Sequence, residues 1–559
     1  MGTLCKRQAS LDIKGGRMPR VNLIENIVGG QNVSDIRIAS LEECVNMFQE
    51  TQGDGASASS LIRSINGSTK LTDVDSDNRK CRGIFEASRG ADGFPVLFAV
   101  FGQRLYCINN VDGQYVATEI YSSLTNTDEP VSMCETGGEG SAHPHLIVVD
   151  GANVIACNTE LSPEDMRDPS LDGCRSIALP YRVRQEDPEH PSQRIIPTHC
   201  AYLYGYLVVN DAGTDAFYTS YQYPFERNEM NNESAIDYDI FMIDSSHPTE
   251  VGYKDYGFVT YSEWSPDNTT ALVSNSTLLY TFGPKSTQIF TYNSDVEAPF
   301  VSPTNAANSI GIKAVRSLAC VGDYVFYLGA SAIGENGIYY WRANQLTKIS
   351  TPDIERHIGK MKNPSDAVGQ CWTESGHMFY AITFYEDDYT YVYDILEEKW
   401  HRRSSKAEKT NVQHYWRLLF ATLHDSKIMF GTEDGKLVYL DPNKYEEYDG
   451  RPMVRIRRSG MMMNNYQDYV VNSVRLIANL GDFDNANLNP KIMMRYAESG
   501  GNFSNQEIGM LGNQGRYDWV LEWWRLGLHN VCCLEFSCSD PVNFAILGAK
   551  ISYDLIDRF

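Results

Sequence analysis

The sequence lacks any run of eighteen consecutive apolar residues, so none of it qualifies as a membrane-spanning helix. Its first charged residues are not followed by an apolar segment, so we expect no signal peptide. It has no Cys-x-x-Cys pair, and its thirteen cysteines stand singly or as the neighbours Cys532 and Cys533. This usage predicts reduced, mostly buried thiols in a protein made in a cytoplasm.

Signatures of catalysis are also lacking. The sequence contains no phosphate-binding loop, no G-x-G-x-x-G dinucleotide fingerprint and no G-x-S-x-G nucleophile turn. Neighbouring carboxylates such as Glu386 and Asp387 are so frequent in this acidic chain that they do not specify a glycosidase pair. We therefore predict that the protein is not an enzyme and has no cofactor.

One acidic segment begins like a calcium-binding loop, with Asp73, Asp75 and Asp77 spaced one residue apart. The sixth position is Asn78 where such loops need glycine, and the twelfth is Ile84 where they need a bidentate glutamate. The mismatch favours a solvated acidic turn, and we predict no metal there.

His143, His145 and Cys134 could be drawn as a second metal site, because alternate residues of a strand point the same way. Zinc needs about four ligands, and the neighbouring sequence supplies no others at a recognised spacing. Structural histidines are the favoured interpretation.

The composition favours strands. Hydrophobic residues make up 42% of the chain and 34 residues are tyrosine, while windows rich in alanine or leucine are few. A short patch at residues 41–50 is the one early segment with a helical pattern. Short apolar runs joined by Gly, Asn or Asp turns recur and predict hairpins at residues 96–108, 145–156, 202–210, 319–329 and 427–440.

Hairpins that return at loose intervals predict an all-β fold with a β-propeller-like body, a set of packed sandwiches being the alternative. We expect an extended arm at residues 1–38, the body at 39–442 and a C-terminal β-sandwich-like docking domain at 451–559. Two polar inserts, at about 160–199 and 228–250, interrupt the body.

The net charge of −24 is unevenly distributed, because residues 451–559 hold 11 Lys+Arg and 11 Asp+Glu. The acidic remainder is a poor match for tight nucleic-acid binding, which depends on Lys and Arg, but suits a channel through which DNA slides without sticking. Acidity that keeps a large assembly soluble is the alternative for most of these charges. One dense basic cluster opens the neutral segment, and we predict for it either docking to an acidic neighbour or contact with DNA. A charged, solvated strand edge is the alternative. The cluster consists of Arg451, Arg455, Arg457 and Arg458.

Several motifs in a fixed order carry a resemblance. Near the start stands CVNMFQE at residues 44–50, followed by AVFGQRLY at 99–106. The middle has ISTPDIE at 349–355 and HMFYAITF at 377–384, and the end has ESGGNFSNQE at 498–507, LGNQG at 511–515 and WWRLG at 523–527. The residues that we single out as structural motif positions are Trp400, Gly500, Gly501, Gly512, Gly515, Trp523, Trp524, Arg525 and Gly527.

In this order the motifs resemble the packaged-DNA stabilisation proteins of short-tailed bacteriophages, which are tail hub or nozzle proteins. The resemblance implies a structural virion protein that forms a ring, six-fold in that family, below the portal and its adaptor. Implied partners are other copies of the chain, the portal adaptor, tail fibre or tailspike and distal plug proteins, and double-stranded DNA in transient contact. The implied location is the tail of the virion, after synthesis in the host cytoplasm.

Two other classes stay open at this stage: a propeller that binds or hydrolyses glycans, and a phage adhesin or tailspike.

Overall fold

The computed structural model describes residues 20–24, 27–34, 40–53, 59–137, 143–177, 179, 194–222, 258–262, 264–265, 267–295, 298–303, 306–331, 334, 336–407, 412–463, 465, 467–483, 488–498 and 502–556. The chain divides into two compact units. Ile65–Val454 form one, here called the propeller unit, and Met1–Ser64 with Arg455–Phe559 form the other, here called the sandwich unit. In the described part, no helix has the length and apolar character needed to cross a membrane.

The N-terminal strands of the sandwich unit come first in the chain. They are β1 (Arg20–Leu23), β2 (Asn32–Val33), β3 (Leu41–Val45), β4 (Met47–Thr51) and β5 (Ser60–Ser64). The helical pattern at 41–50 was therefore misleading. Asn46 adopts a left-handed φ of 52°, a conformation that ends regular structure and that Asn tolerates better than most residues. The chain turns there, and both Cys44 and Met47 reach the core.

Within the described residues, the propeller unit contains seven antiparallel sheets of four or five strands and one two-stranded ribbon. The first three sheets contain β7 (Cys81–Ala87), β8 (Val96–Phe101), β9 (Arg104–Val111) and β10 (Gln114–Tyr121); β11 (Ser132–Glu135), β12 (His145–Val149), β13 (Val154–Asn158) and β14 (Arg175–Ser176); and β15 (Cys200–Leu203), β16 (Tyr206–Asn210), β17 (Ala216–Gln222) and β18 (Phe258–Tyr261).

The fourth to sixth sheets follow along the chain. They contain β19 (Ala271–Asn275), β20 (Leu278–Phe282), β21 (Thr287–Tyr292), β22 (Phe300–Val301) and β23 (Ala307–Asn308); β24 (Ile310–Ile312), β25 (Ala319–Val321), β26 (Tyr324–Ser331), β27 (Asn336–Arg342) and β28 (Gln345–Lys348); and β29 (Val368–Glu374), β30 (His377–Phe384), β31 (Tyr389–Asp394) and β32 (Lys399–Arg402). Between the last two lies the helix α1 (Pro352–Lys360).

The seventh sheet is closed by a strand from the other end of the unit. β35 (Leu418–His424), β36 (Lys427–Thr432) and β37 (Lys436–Asp441) are joined by β6 (Gly67–Asp73), which pairs antiparallel with β37. A small ribbon of β33 (Ser405–Lys406) and β34 (Gln413–His414) precedes it. Because β35 also lies beside β7, the seventh sheet neighbours the first and the ring is complete.

Neighbouring sheets of the propeller unit pack through buried apolar clusters. One such cluster, between the seventh and first sheets, contains Phe101 and Met429. Another, between the fifth and sixth, contains Phe326 and Tyr380, whose rings stack. Seven sheets that pack side by side in a closed ring are the blades of a β-propeller. The predicted hairpins are confirmed, and each supplies two adjacent strands of one blade.

The sandwich unit is completed by strands from the end of the chain. They are β38 (Arg455–Arg458), β39 (Met462–Met463), β40 (Tyr469–Ala478), β41 (Lys491–Glu498), β42 (Glu507–Met510), β43 (Leu521–His529), β44 (Val531–Cys538) and β45 (Ala545–Leu555). One sheet has the order β4-β5-β45-β40-β43, with β1 beside β45. The other has β3-β38-β44-β41-β42, with β2 beside β3 and β39 beside β44. A single apolar core that includes Ile62, Val474, Trp523 and Phe536 lies between them.

The unit boundaries differ from those drawn on the sequence. The body was expected to begin at residue 39, yet residues up to Ser64 lie in the sandwich unit, where β3 pairs with β38 and β5 with β45. Distant pairing of this kind leaves no local signal. The insert at 228–250 lies outside the described residues. In the insert at 160–199, the described part contains two short 3-10 turns, Asp165–Arg167 and Pro169–Leu171.

The expectation of reduced thiols is wrong at one place. Cys157 on β13 and Cys174 form a disulfide across 17 residues, and so hold the loop after the third strand of blade 2. The two cysteines were too far apart in sequence, and too unlike a paired spacing, to be recognised. Ten other cysteines in the described part are free.

We predict that this disulfide stabilises blade 2. Closing a loop of 17 residues should contribute about 3 kcal/mol to the free energy of unfolding. Reductant should therefore lower the melting temperature of the wild-type protein, measured by calorimetry. The variant Cys157→Ser with Cys174→Ser should melt at the lower temperature with or without reductant. Equal sensitivity of both proteins to reductant would assign the effect to another thiol.

Candidate functional site

The arginine cluster predicted as a docking or DNA-contact site divides between buried and surface positions. On β38 the side chains alternate, and Arg455 and Arg457 are both fully buried. Arg455 donates from Nη1 to the carbonyl of Val542 at 2.5 Å and from Nη2 to the carbonyl of Asp540. It therefore ties β38 to the turn that follows β44.

Arg457 ties β38 to the N-terminal segment in the same way. Its Nε donates to the carbonyl of Ile27 at 2.8 Å and its Nη1 to that of Gly30, also at 2.8 Å. The guanidinium also forms an ion pair with Glu42. A buried charge with such a set of acceptors is stable because its lost hydration is replaced. Within the chain, Arg457 has no surface to offer a ligand.

Arg458 points to the opposite face of β38 and is nearly buried by acidic neighbours. It pairs with Glu43 at 2.8 Å and Glu535 at 2.6 Å, and its guanidinium lies 4.9 Å from the ring centroid of Phe503. Burial lowers the pKa of Arg458, but Glu43 and Glu535 outweigh it and raise the pKa above the ordinary value.

Arg451 belongs to the propeller unit and not to β38. It pairs with Asp449 at 3.0 Å and donates to the carbonyl of Lys406 at 3.3 Å. The four arginines therefore do not form one exposed patch. Arg455 and Arg457 are internal, which corrects the interpretation of the cluster as a surface for DNA or a neighbour. The composition of a strand does not reveal which side faces a core when the inward residues are charged.

The C-terminal motif WWRLG lies on β43. Trp523 is buried in the core of the sandwich unit, with its ring 5.6 Å from that of Phe536, whereas Trp524 is exposed. Arg525, with a φ of 63°, sits at an irregularity where β43 and β40 change register. Such a bulge bends and twists a strand. Gly527 has a φ of 100°, which side chains rarely tolerate.

Gly512 and Gly515 both have positive φ, 88° and 78°, and place the loop between β42 and β43. The Cβ of a residue replacing Gly512 would also approach the ring of Trp519. Both positions are explained as turns that need glycine. Gly500 and Gly501 lie outside the described residues.

Trp400 contacts the ISTPDIE motif, which explains why both occur among the motif positions. Its Nε1 donates to the carbonyl of Ile349 at 2.9 Å. Two residues later, Thr351 caps α1 by accepting from the backbone N–H of Ile354, and Glu355 in the first turn accepts from Ser350 at 2.7 Å. The Thr351 side chain thus satisfies one of the free N–H groups of the helix start, and the acidic Glu355 in the first turn is favourable for the helix dipole. The motif therefore joins the outer strands of blades 5 and 6.

The carboxylates of the segment that resembles a calcium loop have partners within the chain. Asp75 is buried and accepts from the backbone of Arg79 at 2.8 Å and from the hydroxyl of Tyr106 at 2.8 Å. Asp77 pairs with Arg79 at 2.7 Å and Asp73 with Lys70 at 3.0 Å. These contacts close the turn after β6.

The two histidines also have protein partners. His145 is buried, with Nε2 3.0 Å from a carboxylate oxygen of Asp172, and His143 pairs with Glu160. Among the described residues, no three His, Cys, Asp or Glu side chains are gathered closely enough to hold a metal ion.

Sequence reasoning missed a buried arginine between blades 6 and 7. Arg403 is fully buried and donates to Glu374 at 3.0 Å. Its guanidinium lies 4.7 to 5.0 Å from the ring centroids of Trp372, Phe379 and Trp416. Burial lowers the pKa of Arg403 below its ordinary value, and Glu374 opposes that shift. Cation–π contacts compensate part of the lost hydration. Trp372 and Phe379 face each other across the β29–β30 hairpin, but Trp416 and Arg403 come from other segments of the chain, so the sequence does not predict the cluster.

Sequence reasoning also missed a cluster around Arg417, which holds the segment after β37 in place. Arg417 contacts carboxylates of Glu433 at 2.7 Å and Asp449 at 2.8 Å, with Glu447 farther away at 3.5 Å. Tyr448 joins them by accepting from Arg417 and donating to Asp434. Burial raises the pKa of Glu447 to about 7, although Arg417 works in the opposite direction. The segment also follows β6, because Gly67 and Ser68 donate to its carbonyls.

These features define the class of protein. It is an all-β molecule with a closed seven-bladed propeller and a sandwich unit, and the polar clusters described above are made by contacts within the chain.

Residues 248–445 match the family model described as Bacteriophage P22 Gp10, beta-propeller. The match confirms, over that stretch, the resemblance to the packaged-DNA stabilisation family. It spans β18 to β37, from the outer strand of blade 3 through blade 7. No curated protein matches the chain.

Similarity to solved structures is low. The extracellular domain of the hybrid two component system BT4673 from B. thetaiotaomicron is 10% identical, with 67% of this chain and 39% of that chain covered and a TM-score of 0.37. The N-terminal domain of Nup159 is 9% identical, with coverage of 71% and 97% and a TM-score of 0.35. Neither bears on function.

We predict that Arg455 and Arg457 act on stability. Arg455→Met and Arg457→Met should each lower the free energy of unfolding by about 3 kcal/mol or more, because buried acceptors lose their donor. Chemical denaturation measures this. Arg451→Met, which changes a partly exposed pair, is the matched control and should change stability by about 1 kcal/mol at most. Variants of normal stability with weakened DNA binding would instead support a role in DNA contact.

We predict a pH dependence from Glu447. Its pKa in the folded protein is about 7, against the ordinary 4.5, so the folded state favours the protonated form. The stability that this group contributes is present below about pH 4.5 and is lost as the pH rises through 7. Glu447→Gln should therefore exceed wild type in stability at pH 8 by on the order of 3 kcal/mol. Glu446→Gln, at its more exposed neighbour, should follow the wild-type profile in thermal unfolding. Parallel profiles for wild type and Glu447→Gln would refute the shift.

Proposed function

We propose that the protein is a structural component of a phage virion, a tail hub or nozzle that retains packaged DNA and conducts it during ejection. The observation that carries the proposal is the family match at residues 248–445. It covers the blades whose hairpins, capped helix and inter-blade contacts form one continuous scaffold. The proposal assigns the protein no catalytic role.

The central axis of the propeller is an unsuitable route for DNA. Arg316, which precedes the inner strand of blade 5, donates to the carbonyl of Thr198 at 3.1 Å, before blade 3. It also lies 3.7 Å from Glu129, which precedes blade 2. Side chains thus bridge the axis at that end of the propeller. A conduit would have to be enclosed by several copies and not by one.

The charge distribution supports passage without adhesion. The propeller unit, residues 65–454, holds 31 Lys+Arg and 54 Asp+Glu, whereas residues 1–64 and 455–559 together hold 17 and 18. Nearly all of the net negative charge therefore belongs to the propeller. Affinity for duplex DNA comes largely from cations that displace its counterions. An acidic wall gives DNA little to bind.

The expected partners follow from this role. Other copies would form the ring, for which we propose six, and the portal adaptor would lie above it. Tail fibre or tailspike proteins and a distal plug would complete the tail, and duplex DNA would be in transient, non-specific contact. The C-terminal strands would mediate docking to the adaptor.

We predict that the purified protein forms a closed ring with an axial hole. Mass photometry and negative-stain imaging should show one homo-oligomer, and fluorescence anisotropy should show at most weak binding of duplex DNA at physiological salt. A basic DNA-binding protein serves as the positive control. A monomer without a hole, or a preparation that hydrolyses glycans, would overturn the proposal.

A further inference from the structure

Two free thiols face each other between blades 2 and 3. Cys134 lies on β11 and Cys200 on β15, and these two strands lie side by side. Both cysteines contribute to one apolar cluster, in which Cys200 is buried and Cys134 is partly exposed. We call Cys134 and Cys200 the blade 2–3 thiol pair.

A serine on the same face of β11 fixes the position of Cys200. Ser132 and Cys134 are two residues apart on the strand, so their side chains point the same way. The Ser132 hydroxyl accepts from the backbone N–H of Cys200 at 3.1 Å, and its Oγ lies 3.6 Å from the Cys200 Sγ. The two thiols are themselves hydrogen-bonded, and this contact, followed by burial, raises the pKa of Cys134. The two strands therefore present their sulfur atoms to each other.

A separate contact holds the beginnings of the same two strands together. Arg316 donates to the carbonyl of Thr198, just before β15, and lies 3.7 Å from a carboxylate oxygen of Glu129, just before β11. The folded propeller thus keeps the blade 2–3 thiol pair together. Two groups held in this way react with each other far more readily than with a group free in solution.

A second pair of cysteines shows that neighbouring strands alone do not create such a contact. Cys320 on β25 and Cys371 on β29 lie on adjacent strands of blades 5 and 6. They pack into two different apolar clusters. Burial is the main cause that raises the pKa of Cys371, and Cys320 acts on it through charge and not through a hydrogen bond. This pair is therefore the natural comparison for the blade 2–3 thiol pair.

We propose that Cys134 and Cys200 are a modification site, at which a small-molecule disulfide converts the two thiols into a disulfide that joins blade 2 to blade 3. The thiolate of the partly exposed Cys134 attacks one sulfur of the small disulfide, whose S–S bond breaks and releases one small thiol. The Cys200 thiolate then attacks the Cys134 sulfur and displaces the second small thiol. The two cysteines lose two protons and two electrons, and the small disulfide gains them as two thiols.

The occasion for this step rests on the proposed function. Thiols stay reduced in a cytoplasm, whereas disulfides persist outside it, and a virion passes from the first environment to the second. The raised pKa of Cys134 leaves little thiolate at neutral pH, so the exchange is slow and follows folding. The propeller would gain a covalent bond between two blades after release from the host.

We predict that oxidised glutathione links Cys134 to Cys200 in the folded, full-length protein. After incubation, the remaining thiols are alkylated in denaturant and the digested peptides are identified by mass spectrometry. The cross-linked peptide should appear, and the melting temperature should rise by about 5 °C, because the bond joins residues 66 positions apart. Cys134→Ser should lose both effects. Cys371→Ser, the matched control on β29, should show both.

Other outcomes would overturn the inference. If Cys134 and Cys200 are both alkylated after oxidation of folded wild-type protein, the thiols do not meet. Glutathione attached to Cys134 alone, or a link between Cys320 and Cys371 as the only new product, would also contradict it. The wild-type peptide map decides the question even where a serine variant does not fold. Ring formation is measured separately by mass photometry, so failure of this inference is distinguishable from failure of the proposed function.

Discussion

Closure of the propeller is the constraint on which the rest of the structure depends. β6 completes blade 7 by pairing with β37, and Thr69 donates to Asp441 at 3.0 Å across that joint. The strand comes from the start of the unit, more than 360 residues from its partner. Every blade can then pack on two neighbours, so that no blade leaves an apolar face in water. Bringing two strands so distant in sequence together costs conformational entropy, which many inter-blade contacts together must offset.

The closure explains what could and could not be read from the sequence. Hairpins are local, so their alternating strands and turn residues predicted ten of the strands directly. The number of blades could not be predicted, because blade 7 is completed by β6, whose partner lies at the far end of the unit. The strands at 41–64 were assigned to the wrong unit for the same reason, since β3 and β5 find their partners beyond residue 454. Sequence periodicity carries no information on such pairing.

The predictions for the arginine side chains were wrong for a different reason. Arg455 and Arg403 carry a charge that sequence reasoning places in water, yet both are fully buried. The Arg455 guanidinium donates to backbone carbonyls. The Arg403 guanidinium donates to a carboxylate and lies beside three aromatic rings. Burial of an arginine requires that such partners converge from separate elements. A dense basic run therefore has the same appearance in sequence whether it binds a phosphate or holds a strand in place.

The separation of charge between the units connects structure with assembly. A propeller that carries nearly all of the acidity resists contact with its own copies, and bringing several copies together increases that repulsion. In the proposed ring, cohesion would then come from surface with little net charge, such as that of the sandwich unit. Screening by salt weakens repulsion between exposed charges far more than it weakens apolar contact. Assembly through the sandwich unit should consequently become more favourable as ionic strength rises, whereas a contact built on surface ion pairs would weaken.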